Sequence, residues 1–106
     1  MMNLLVSIGH GPSSTVPETQ PPDTQARFRD SVRELLNARG KVMAEIQGQS
    51  TSAWGEEPGT WFSGILHPAE WVTVQQALYA LAVRYGQDAI YVSVGGDDRT
   101  VEVEDL

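Results

Sequence analysis

Hydrophobic and polar residues alternate near both ends of the chain and fall at helical spacing twice in between. Asn3-Leu4-Leu5-Val6-Ser7-Ile8 reads as a short strand ended by Gly9. From Gly11 to Gln25 the pattern stops. This stretch holds four of the six prolines and only Val16 among apolar residues, so it reads as a loop or linker. Phe28, Val32, Leu35 and Leu36 then share one helical face. The helix they predict opens at Asp23 or Thr24 as N-cap and stops at Gly40 in a left-handed conformation. Val42, Ala44 and Ile46 alternate with Lys41, Met43, Glu45 and Gln47, which predicts a strand. Thr60 to Leu66 reads as its returning partner, with the Pro58-Gly59 pair marking 55–59 as the turn between them. A second helix opens at His67-Pro68, lines up Trp71, Val74, Leu78, Leu81, Ala82 and Tyr85, and ends at Gly86. Ala89 to Val94 is an apolar strand. Gly95 to Asp98 is a hairpin loop, and Val101 and Val103 alternate with Glu102 and Glu104 in a last strand.

The predicted fold class is α+β, an antiparallel sheet of four or five strands with two helices on one face. If the first strand pairs, the order is the ferredoxin-like βαββαβ plus a C-terminal strand. The expected organisation is a strand or arm over 1–10, a proline-rich linker over 11–23 and a compact domain over 24–106.

Charge is distributed unevenly. Residues 1–53 hold five acids and five bases; residues 54–106 hold nine acids and two bases, and so carry the whole net charge of −7. An acidic surface of this kind repels phosphate and argues against direct nucleic-acid binding. It suits docking on a larger protein with a basic surface. With no cysteine, disulfides, thiolate zinc sites and thiol catalysis are excluded. Neither a membrane-length apolar run nor a secretory start is visible, so a cytoplasmic location without membrane attachment is expected.

Few residues suggest chemistry. Ser7 to Ser14 is glycine-rich and follows a strand, but no lysine or helix start adjoins it as a phosphate cradle needs. His10 and His67 lack the spacing of a metal site and the partners of a catalytic triad. Glu56-Glu57 and Asp97-Asp98 are paired carboxylates, placed at opposite ends of the sheet by the predicted order. Gly95-Gly96-Asp97-Asp98 superficially resembles the GGDEF signature of diguanylate cyclases, but Arg99 stands where that motif continues. No catalytic, cofactor-binding or metal-ligating residue is assigned, and no cofactor is expected. Trp54 and Trp61 lie beside the acidic pair Glu56 and Glu57. With Asp97, Asp98, Glu102 and Glu104 they make the expected interaction surface.

Over residues 54–92 the chain resembles a small bacterial family of unknown function. The matching residues are Trp54, Glu56 and Glu57, then Leu81, Ala82, Tyr85-Gly86-Gln87 and Ala89-Ile90. The resemblance implies no activity. In style the chain is similar to small acidic phage accessory proteins, among them anti-CRISPR inhibitors. The leading expectation is therefore a non-enzymatic protein that binds a larger partner, such as a phage-encoded inhibitor of host defence. One alternative is a small-ligand or catalytic domain using His10, Tyr91 or Asp88 between sheet and arm. Another is a homodimer formed through an edge strand.

Overall fold

The computed structural model describes residues 1–14, 16–52, 55–95 and 97–102, with 50–52 and 97–102 described by their backbone. Strands β1 (Met2–Gly9), β2 (Gly40–Ser52), β3 (Gly55–Leu66), β4 (Ala89–Val94) and β5 (Asp97–Glu102) form one antiparallel sheet in the order β2-β3-β1-β4-β5. Helices α1 (Pro22–Arg39) and α2 (Trp71–Arg84) cover one face, with a 3-10 turn at Pro68–Glu70 leading into α2. This is the ferredoxin-like arrangement with β5 added beside β4, and it carries the expected α+β class.

The first ten residues are central to this sheet. β1 lies between β3 and β4 and buries Leu4, Val6 and Ile8 against the helices. Phe28, Val32 and Leu36 meet them from α1, and Val74, Leu78 and Ala82 from α2. Phe62 and Leu66 of β3 and Ile90, Val92 and Val94 of β4 complete the core. Burying each large apolar side chain contributes about 1.5–3 kcal/mol.

Four local expectations are corrected. α1 starts one residue before Asp23: Pro22 occupies the first turn, Pro21 is the cap, and no side-chain cap bond forms. Gly40 is extended at φ −158° instead of left-handed, and it opens β2. Glycine is needed there because a Cβ would strike the Ile65 carbonyl. A bulge between Val42 and Ala44 breaks the simple alternation of β2. Glu45 therefore pairs with the core residue Phe62, and its carboxylate takes two bonds from Arg33 of α1, at 2.7 and 2.9 Å. Ala44 and Ile46 pair with Ser63 and Trp61 on the other face. Finally, residues 55–59 are not the turn. β3 begins at Gly55 and includes Pro58 and Gly59, which pair with Gln49 and Gly48.

Candidate functional site

The face of the sheet away from the helices is bare among the described residues. Alternation along each strand selects what it shows. On β1 these are Asn3, Leu5, Ser7 and Gly9; on β3, Glu57, Gly59, Trp61, Ser63 and Ile65; on β4, Tyr91 and Ser93. The register aligns them in rows. Ile46, Trp61, Ser7 and Tyr91 make one row across four strands, and Ala44, Ser63, Leu5 and Ser93 make the next. Tyr91 is 39% exposed and Ile46 63%, so this face offers apolar and aromatic surface to solvent. A shallow depression of about 440 Å³ lies on it over Leu5, edged by Asn3, Ser63 and Ser93.

A third row is made of glycines, Gly48, Gly59 and Gly9. Without Cβ atoms there, neighbouring side chains can lie flat on the backbone. The Trp61 ring takes the space over Gly48, where a Cβ would stand 3.4 Å from its Cζ3. The Glu57 carboxylate lies over Gly9 and Gly11. A Cβ on Gly9 would come within 2.5 Å of its Oε1, and one on Gly11 would overlap its Oε2. A carboxylate, an indole, a phenol and three serines thus share one open surface, with the carboxylate at the His10 end of β1 and two of the serines level with Leu5 at its middle.

The turn under Glu57 is fixed from the core side. His10 donates its backbone N–H to the Pro58 carbonyl at 2.9 Å, and its carbonyl accepts from Gln20 N–H at 2.8 Å. Its ring nitrogens meet Gln20 Oε1 at 2.9 Å and Thr60 Oγ1 at 3.0 Å. Gln20 Nε2 donates to the Tyr85 carbonyl, so its oxygen faces His10 and Nδ1 carries the proton. The ring also meets Phe28 edge-on at 5.8 Å, and Phe28 stacks on Tyr85 at 4.8 Å. Burial is the main reason that the His10 pKa lies below its ordinary 6.5; the Gln20 bond opposes this and the Arg29 charge adds to it.

The proline-rich stretch is tied down in turn. Ser13 Oγ donates to the Gly86 carbonyl. Ser14 gives Asp88 two hydrogen bonds, from its N–H at 2.9 Å and from its Oγ. Gly86, at φ +68°, ends α2 and packs beneath Val16. The small-ligand alternative places a pocket between sheet and arm, using His10, Tyr91 or Asp88. That space is filled, His10 has both nitrogens occupied, and Asp88 holds the strap.

The expected interaction residues separate. Glu57 and Trp61 belong to the open face, whereas Glu56 is exposed on β3 opposite Thr51. Asp97 and Asp98 are on β5 rather than in a loop, opposite Val94 and Ser93, and Glu102 is on the same strand, opposite Ala89. Asp97 and Asp98 lie at the other end of the sheet from Glu56 and Glu57, whereas Glu102, paired with Ala89, lies toward the Glu57 end along the far edge strand. Trp54 and Glu104 lie outside the described residues. His67 caps the 3-10 turn, accepting from Ala69 N–H at 3.1 Å. Among the described residues, no three His, Asp or Glu side chains come together as a metal site, and no helix is long and apolar enough to cross a membrane. The glycine row and the seat of Glu57 were missed from sequence. The only signal was the spacing Gly9-x-Gly11, in a stretch that reads as a turn leaving a strand and lacks the lysine and helix start of a phosphate cradle.

Solved structures share this architecture. No family model and no curated protein sequence matches the chain. A phage SAM lyase in complex with S-methyl-5'-thioadenosine matches with a TM-score of 0.60 and 12% identity, over 99% of this chain and 92% of that one. Phage SAM lyase in the apo state matches at 0.58 and 15%, over 99% and 91%. At this identity the likeness is one of fold, and it runs end to end. Both structures are of an enzyme. They overturn the expectation of a non-enzymatic protein that binds a larger partner as an inhibitor of host defence, and favour the small-ligand or catalytic alternative.

Proposed function

We propose that the chain is an enzyme acting on an adenosylated sulfonium of the S-adenosylmethionine type, releasing S-methyl-5'-thioadenosine. The observation that carries this reading is the end-to-end likeness to phage SAM lyase with that nucleoside bound. The open face has chemistry to match. Tyr91 and Trp61 offer flat surfaces to a base, and a cation is attracted to aromatic faces. Ser7, Ser63, Ser93 and Asn3 offer hydrogen bonds to ribose hydroxyls. Glu57 supplies the negative charge that a sulfonium seeks, worth about 4 kcal/mol at 4 Å in a surface-like dielectric.

The product retains the methyl group, the sulfur and the adenosine. The bond broken is therefore the one from sulfur to the γ-carbon of the amino-acid chain, and its electron pair returns to sulfur to leave a neutral thioether. A lyase adds no co-reactant. The departing four-carbon fragment must compensate from within itself, by losing a β-proton or by closing its own carboxylate onto the γ-carbon.

The test is to incubate the purified chain with S-adenosylmethionine and follow S-methyl-5'-thioadenosine by mass spectrometry. Accumulation of the nucleoside, reduced at least tenfold in Glu57→Gln, is the expected result. Absence of product, together with no heat of binding for S-methyl-5'-thioadenosine, would overturn the reading.

A further inference from the structure

We propose that His10 is a positioning residue for Glu57, holding from the core side the glycine-flanked turn on which that carboxylate rests. Its catalytic consequence rests on the lyase reading above; the positioning itself does not.

The geometry has two halves. On the open face, the Glu57 carboxylate lies against Gly9 and Gly11, the two residues flanking His10. Toward the helices, every polar group of His10 has a partner: Pro58 and Gln20 for the backbone, Gln20 and Thr60 for the ring. Pro58 follows Glu57 in sequence, and Thr60 is three residues on. The same residue thus joins β1, β3 and the strap at the point where the carboxylate is seated. Gln20 is itself held by Tyr85, so the ring of His10 sets the height of the turn above the sheet. A displaced turn displaces the carboxylate, and about 1 Å of misplacement in a reacting group costs on the order of 100-fold in rate.

The ring is buried and neutral, whereas its protonated form carries charge into the core. The charged and titratable groups around it are Arg29 on α1, Glu57 on β3 and Tyr85 after α2, with Arg84 standing 5.6 Å from the Tyr85 ring. Arg29 opposes protonation, and Glu57 is the carboxylate across the sheet. Acid therefore disturbs the turn at a pH below the ordinary histidine range.

The experiment uses the full chain with 13C-labelled glutamate and compares wild type, His10→Phe and His10→Asn. His10→Phe keeps the ring volume and removes both nitrogens. His10→Asn keeps a donor toward Gln20. In wild type, the Glu57 carboxyl resonance should show an inflection at the pH where the His10 ring protons titrate. His10→Phe should shift that resonance at neutral pH and lose at least tenfold in kcat/KM, with His10→Asn recovering to within about threefold. The acid limb of the wild-type pH profile should coincide with the His10 titration and be missing from His10→Asn.

A Glu57 resonance indifferent to His10 titration and to both substitutions would overturn the proposal, as would an identical acid limb in His10→Asn. If His10→Phe does not fold, the wild-type titration and His10→Asn decide. If wild type forms no S-methyl-5'-thioadenosine, the lyase reading fails, and the Glu57 resonance still decides the positioning claim.

Discussion

The two faces of the sheet are built from the same strands by opposite rules. On β3, Phe62 is 1% exposed and packed beneath two helices, while Trp61 beside it lies half-buried over Gly48 on the bare face. On β1, Ile8 fills the core and Gly9 supports a carboxylate. The covered face is apolar and closed. The open one mixes serines, aromatics, glycines and acidic residues without any element above them among the described residues. The glycine row lets the Glu57 carboxylate lie against the backbone at Gly9 and Gly11.

The contrast can be tested one residue at a time. The largest effect is expected from Phe62→Ala, which should cost about 3–5 kcal/mol and show as a collapsed denaturation midpoint. Trp61→Ala should cost less than half of that in stability yet weaken S-methyl-5'-thioadenosine binding at least tenfold by calorimetry. Equal stability losses at the two positions would erase the distinction between faces. Gly9→Ala comes next. Its φ is not left-handed, so the penalty is steric: the methyl group displaces the Glu57 carboxylate. Lyase turnover should fall about tenfold, for a stability loss of about 1 kcal/mol.

Acid should act through the covered face. His10 has a lowered pKa in the fold, so the unfolded chain binds a proton more readily than the native one does just below pH 6.5. Stability is fully present above that pH and is lost as pH falls through the folded pKa, so thermal melts should show the midpoint dropping between pH 7 and pH 5. His10→Asn should flatten that slope. Glu45 has a carboxyl held below its ordinary 4.5 by the Arg33 hydrogen bonds, and its contribution is lost only as pH falls below that value. The smallest effect belongs there: Arg33→Ala, breaking a pair on the surface of α1, should cost about 1 kcal/mol and leave nucleoside binding unchanged.

Much of the covered face was legible in the sequence because its signals are local. The helical spacing of Phe28, Val32 and Leu36, and of Val74, Leu78 and Ala82, needs no knowledge of distant residues. The open face was harder to read. Pro58-Gly59 has the chemistry of a turn, and only pairing with Gln49 and Gly48 turns it into strand. The bulge at Met43 reverses which residues of β2 face the core, and no residue type announces it. Glu57 was noticed as half of an acidic pair at a hairpin tip. Its seat depends on Gly9 and Gly11, far away in sequence, and on the strap that holds His10. The strap itself read as a linker because its order comes from side chains meeting Gly86, Asp88 and Tyr85.

The proposed ligand face is the bare face of the sheet. Amide chemical-shift mapping with S-methyl-5'-thioadenosine tests it most directly. Shifts gathered at Ser7, Glu57, Trp61, Ser63 and Tyr91 are the predicted result. Shifts gathered instead around Gln20, Val83 and Tyr85, at the cleft between the strap and the end of α2, would contradict it.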